Sequence, residues 1–140
     1  MKYKLNLSLI LIILVIIIFI YFYYYTNYKV HKFYGKIATT NKMIKDGLMY
    51  RKHKLKDKEG MLFNMDYGFN SMWMKNTYIP LDIIFLDNMK VVGYIIDAEP
   101  LSEKTLEINK QSNKVLEVNR NTIHKYNIDI GDMISFTEIN

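Results

Sequence analysis

Lys75, Asn76, Thr77 and Asp82 fall within one short stretch and carry groups that a polar ligand or a proton transfer would need. An ammonium beside a hydroxyl and exposed backbone N–H groups can hold a carboxylate or phosphate. A carboxylate close to that ammonium can orient the amine or act as a base. Trp73, the only tryptophan, adds a ring that can stack on a sugar or an aromatic ligand if it is partly exposed beside Lys75. A structural alternative covers the same residues. Asn76 and Thr77 can bond to the backbone of a tight turn, Asp82 can pair with Lys75 or Arg51, and Trp73 can fill the core or its rim. Arg51 and Glu117 are secondary candidates, whose simpler role is an ion pair holding the domain's first helix to its sheet.

Three functions of different class follow. The preferred one is a non-enzymatic binding or accessory domain with a shallow pocket near Trp73, Lys75, Asn76, Thr77 and Asp82. The second is a hydrolase or transferase using Asp82 and Lys75, which requires both side chains within hydrogen-bond reach in a concave, partly dry cleft. The third is a structural or protein-interaction module, which requires an uncovered apolar face.

Composition removes other chemistries. Without cysteine there are no disulfides, no thiol catalysis and no thiolate zinc site. Met72 and Met74 would share one face of a strand, and thioethers suit copper(I). Methionine at strand positions is more simply a gap-filler, and no metal or cofactor is assigned. His31, His53 and His124 lack ligand spacing, and no phosphate loop or Ser–His–Asp order is present. The net charge of +5 is unevenly placed: residues 26–45 hold five lysines and no acid, whereas from Asp46 onward 12 Lys and Arg face 14 Asp and Glu, a net of −2. The larger part has no basic stripe, which disfavours nucleic acid as a partner.

The reactive stretch lies within residues 72–87, where a polar knot separates two apolar segments. Pro80 lacks an N–H, so a strand starts at or after it, and the unbroken apolar run over residues 83–86 suits a strand covered on both faces. Upstream, residues 5–25 are almost wholly apolar and end in a run of aromatics over 21–25. As a helix they would be about 31 Å long, enough to cross a bilayer core of about 30 Å, and the aromatics suit its interface. The expected organisation is a tail over 1–4, a transmembrane signal-anchor over 5–25, a basic juxtamembrane linker over 26–33 and a domain over 34–140. Lysines on both sides leave the orientation weakly specified. A cytoplasmic tail and a domain on the non-cytoplasmic side are expected, with anionic lipid headgroups as partners of the linker lysines.

Within the domain the pattern predicts a strand over 34–38 and a short helix from Thr40 or Asn41 to about Met49, followed by a charged loop over 52–59. A hairpin is expected from strands over 61–65 and 69–74, and a second from 81–86 and 91–96, where Gly93 marks a bulge or close backbone contact. Residues 97–113 read as a surface loop with a short strand, 114–118 as a strand, 121–126 as a helix capped by Asn119 or Asn121, and 133–139 as the last strand. Short strands with regular turns and two brief helices imply a mainly β (α+β) domain, a small curled sheet or barrel.

Ordered along the chain, Gly47-Leu48-Met49 with Arg51, Gly60-Met61-Leu62-Phe63, Trp73-Met74-Lys75-Asn76-Thr77, Ile79-Pro80-Leu81-Asp82, Val115-Leu116-Glu117 and Gly131-Asp132 resemble the DUF192 family. The resemblance covers roughly residues 35–137. It implies one mainly β domain behind an export or anchor segment, and no established activity. Two departures stand out: Met72 replaces an aromatic before the tryptophan, and Asn119-Arg120-Asn121 replaces a glycine after the Val-Leu-Glu strand. Asparagine tolerates the left-handed backbone, so that turn can survive. If the glycine serves a ligand, binding there is affected.

Overall fold

The computed structural model describes residues 6–139, and their side chains except those of 24–27; the expected tail over 1–4 lies outside the described residues. The first element is helix α1 (Leu7–Asn27), opened by Asn6, whose side chain accepts the Ser8 N–H at 3.3 Å. Its described apolar side chains are nearly all exposed. The expected span over 5–25 is thus met as a helix, but among the described residues no helix is long and apolar enough to cross a membrane. The described side chains of α1 stop at Tyr23.

Strand β1 (Val30–Ala38) begins well before the expected 34, which takes the second half of the expected linker into the domain. Helix α2 (Asn41–Asp46) starts where Thr40 Oγ1 accepts the Met43 N–H at 3.2 Å. It ends at Gly47, whose φ of 46° a side chain would oppose. Then come β2 (Glu59–Gly68), β3 (Ser71–Met72), β4 (Leu81–Asp87), β5 (Lys90–Ala98), β6 (Leu106–Glu107), β7 (Ser112–Asn119), helix α3 (Thr122–Tyr126) and β8 (Met133–Glu138).

Six strands close into a barrel in the order β1-β2-β7-β4-β5-β8, while β3 and β6 form a separate two-stranded sheet. The β4–β5 hairpin forms as expected, with a register shift between Phe85 and Leu86 opposite Gly93. A Cβ on Gly93 would lie 2.5 Å from Ile108 Cδ1, so the residue is small for contact as well as for the bulge. The hairpin expected over 61–65 and 69–74 does not form. Both edges of β2 are taken, by β1 in parallel and β7 in antiparallel, and the returning chain pairs Ser71 and Met72 with Glu107 and Leu106 instead.

Two apolar clusters follow from the period-2 alternation of the strands. Phe33, Leu62, Ile84, Val91, Leu116 and Ile134 come one from each of the six strands and fill the barrel. Phe63, Met74, Ile83, Phe85 and Val115 point the other way, under α2 and the β3–β6 sheet. Strand β4 supplies both, which is why its apolar run does not alternate. Met72 and Met74 sit in the outer cluster as packing residues.

Candidate functional site

The residues nominated from the sequence separate onto the two sides of the barrel wall. Asp82 is on the inner face with Ile84 and is fully buried. Its Oδ1 accepts the Asp97 N–H and its Oδ2 the Ile123 N–H, each at 3.0 Å. Ile123 lies in the first turn of α3, and Asn121 in the N-cap position makes no side-chain cap bond. Asp82 therefore caps α3 from a strand 41 residues away, replacing the cap expected from Asn119 or Asn121. Asn119 instead clamps the 52–59 loop, accepting the Leu55 N–H at 2.9 Å and donating to the Leu55 carbonyl at 2.8 Å. Asn121 takes the left-handed conformation, φ 67°, so the turn survives without glycine.

Lys75 is on the outer side, its Nζ 3.6 Å from Glu103 Oε1 and 5.3 Å from the Trp73 ring centroid. It does not meet Asp82. Arg51 donates to the His53 carbonyl at 3.0 Å and to Glu59 at 3.3 Å, so neither its expected pairing with Asp82 nor that with Glu117 occurs. Asn76 has φ 54°, accepts the Tyr50 N–H at 2.7 Å and donates to the Tyr50 hydroxyl at 3.0 Å. The buried Thr77 hydroxyl donates to the Lys75 carbonyl at 3.3 Å, and its N–H to that of Met74 at 3.0 Å. These bonds make residues 74–77 a tight turn that presents Trp73 and Lys75 at the surface, Trp73 38% exposed.

Beneath this turn lies Glu117. It stands on β7 opposite Met61 and Ile83, and is only 4% exposed. Its Oε2 has no hydrogen-bond partner. Burial alone, with no cation or donor to offset it, pushes the carboxyl up to about 8, so the group is a neutral acid at pH 7. A cavity of about 10 Å³, room for about one water molecule, is lined by Glu117, Phe63, Trp73, Lys75 and Thr77 and by the end of α2. Gly47 lets that helix end lie close: a Cβ there would come within 3.9 Å of Glu117 Oε2 and 3.3 Å of the Phe63 ring. By sequence Glu117 is a secondary candidate, because an ion pair with Arg51 accounts for it. The signal that ranks it higher is alternation, since Glu117 shares a strand face with the core residue Val115.

Larger clefts exist elsewhere. One of about 480 Å³ is lined by Lys54, Asn119, Arg120 and Lys125. Lys125 is paired with Asp57 at 2.7 Å and Arg120 with Asp97 at 3.2 Å. Among the described residues no group of three His, Asp or Glu side chains is placed to hold a metal ion.

A closed six-stranded barrel, with a short helix packing Ile123 into its inner cluster and a buried acid under an exposed Trp-Lys turn, defines a small mainly β domain. The chain belongs to the DUF192 family, described as "Uncharacterized ACR", whose model matches residues 24–136. It is similar to a crystal structure of a protein of unknown function from Novosphingobium aromaticivorans, at 35% identity over 71% of each chain, with a TM-score of 0.67. It is also similar to a Sinorhizobium meliloti protein whose description proposes a transcription regulator, at 32% identity over 71% of this chain and 78% of that one, TM-score 0.68. Among curated proteins, none matches the chain.

Proposed function

We propose that this chain is a membrane-anchored binding domain, not an enzyme, that takes a small hydroxyl-bearing molecule at Trp73, Lys75 and Glu117. The observation that carries the reading is the unpartnered Oε2 of Glu117 beside a cavity of about 10 Å³. A buried polar atom left without a partner costs about 1–3 kcal/mol, which an inserted hydroxyl recovers. A neutral carboxylic acid both donates and accepts, and so matches a hydroxyl. The rest of the ligand, a sugar or polyol, lies over Trp73 and Lys75. The hydrolase or transferase reading lacks its geometry, because both oxygens of Asp82 are held by backbone N–H groups inside the barrel.

The anchor is α1, a 21-residue helix whose length at about 1.5 Å per residue is about 31 Å. Exposed Leu, Ile and Phe side chains along it, with Tyr21 and Tyr23 at the domain end, support insertion with the aromatics at the interface. The domain lies on the non-cytoplasmic side. A regulator role of the kind proposed for the Sinorhizobium protein is not adopted, since from Asp46 onward 12 Lys and Arg face 14 Asp and Glu.

The test is a thermal-shift screen of the full chain against sugars and polyols, with nucleotides, organic acids and copper(I) as comparators. Bound ligand raises the midpoint by mass action. A hydroxyl compound that stabilises the parent chain but not Trp73→Ala or Glu117→Leu is the expected result. Stabilisation by none of the sugars or polyols overturns the reading.

A further inference from the structure

The link between α1 and the barrel is too short to let the domain float free. Only Tyr28 and Lys29 separate Asn27, the last residue of α1, from Val30, the first of β1. Lys29 is bound into the barrel: its N–H donates to Asp132 Oδ1 at 3.1 Å and its carbonyl accepts the Met133 N–H at 2.8 Å. Its ammonium reaches the Asn127 carbonyl at 3.3 Å and Asp129 at 3.5 Å. Two residues span at most about 7 Å, so Lys29, to which the turn over residues 129–132 is hydrogen-bonded, lies within that reach of the end of the helix.

That turn is itself rigid. The Asp129 N–H donates to Asp132 Oδ2 at 3.0 Å, the Asp132 N–H to the Asp129 carbonyl at 3.1 Å, and the Gly131 N–H to the Val91 carbonyl at 2.8 Å. At its tip Ile130 is 66% exposed, with the exposed Val30 on the same end of the barrel. Lys90 is exposed and has no carboxylate partner among the described residues. Tyr28, Lys29, Lys90 and Ile130 line one groove of about 640 Å³, together with the carboxylates of Asp129 and Asp132, which Lys29 and His31 pair.

We propose that this end of the barrel is a lipid-contacting surface: Ile130 and Val30 enter the interfacial layer and Lys90 meets anionic headgroups. The proposal rests on the reading of α1 as an anchor, and adds that the domain is seated on the bilayer in a fixed pose. An apolar tip ringed by an amine suits an interface where acyl chains begin and phosphates lie just above. A fixed pose also gives the ligand crevice a defined height above the membrane.

The chain has no cysteine, so single-cysteine variants carry one labelling position each. Ile130→Cys, Ile16→Cys and Phe69→Cys, each bearing an environment-sensitive fluorophore, are reconstituted as full chains in phosphatidylcholine–phosphatidylglycerol vesicles containing a lipid-borne quencher. Phe69 is an apolar control at 69% exposure, placed after the far end of β2, which runs parallel to β1 away from α1. Strong quenching at position 16 and at least twofold more quenching at 130 than at 69 is the expected result. Strong quenching at 16 with 130 no different from 69 overturns the seated pose and leaves the anchor standing. No quenching at 16 overturns the anchor, and this inference with it.

Discussion

Asp82 and Glu117 are buried acids on neighbouring strands, one register position apart: Asp82 faces Val118, and Ile83 faces Glu117. They differ in every respect that matters. Asp82 points into the barrel and spends each oxygen on a backbone N–H at 3.0 Å. Glu117 points out, under the Trp73–Lys75 turn, and leaves Oε2 unbonded. Burial alone therefore does not mark a site. The satisfied acid is part of the construction, joining the end of β5 and the start of α3 to β4. The unsatisfied one leaves a polar atom buried without a partner, at a standing cost to the fold, and it is the group the proposed ligand would satisfy.

The largest effect is expected on removing the satisfied acid. Asp82→Ala strands the Asp97 and Ile123 N–H groups, and chemical denaturation of the full chain should register a loss of about 3–5 kcal/mol. A loss below about 1 kcal/mol would mean that water replaces the carboxylate and that Asp82 is not the cap of α3.

Replacing the unsatisfied acid by a group that cannot ionise should act in the opposite direction. Unfolded, the Glu117 carboxyl releases its proton near 4.5; folded, it keeps it to about 8. The folded state thus binds the extra proton, and its stability falls as pH rises through that window, by about 1.4 kcal/mol per unit. Glu117→Gln keeps the shape and cannot ionise. It should be more stable than the parent by about 3 kcal/mol at pH 7, with the advantage absent below about pH 4.5. Parallel stability–pH curves for the two chains would sink the claim that Glu117 is a neutral acid.

A third buried acid sharpens the contrast at smaller amplitude. Burial tends to raise the Asp132 carboxyl, but the N–H groups of Asp129 and Lys29 and the His31 ring outweigh it and hold the group below its ordinary 3.8. Its contribution is present above that value and is lost as pH falls through the lowered one. Asp132→Asn should cost about 2 kcal/mol at pH 6, measured by denaturant midpoint, and the gap should narrow below pH 4. An unchanged gap would assign the loss to packing alone.

Much of the fold was legible because alternation and turn chemistry are local. Pro80 marked the start of β4, Thr40 the start of α2, and Gly93 its bulge, whereas α2 stops at Gly47, short of the expected Met49. What was not legible is which edges meet. Residues 61–65 and 69–74 read as a hairpin by proximity, yet β2 pairs with β1 and β7, and only closure of the barrel decides that. The pairing of Lys75 with Asp82 fails for a related reason. Lys75 and Asp82 are near in sequence, but the wall of β4 lies between them, whereas Glu117 reaches the turn from a distant strand. A cap supplied from 41 residues away leaves no trace in local spacing.

The smallest expected effect on stability belongs to Lys75, and it is the most telling for function. Its ammonium pairs with an exposed Glu103 at 3.6 Å and lies over Trp73 at 5.3 Å, contacts worth at most about 1 kcal/mol together at a surface. Lys75→Ala should therefore unfold within about 1 kcal/mol of the parent, while losing the midpoint rise that a hydroxyl ligand gives. A satisfied structural residue fails the first half of that prediction and an idle surface residue fails the second. If the variant is markedly unstable, the Trp73–Lys75 turn belongs with Asp82 as construction. If it is stable and binds as well as the parent, the ligand contacts Glu117 without the lysine, and the amine has no share in recognition.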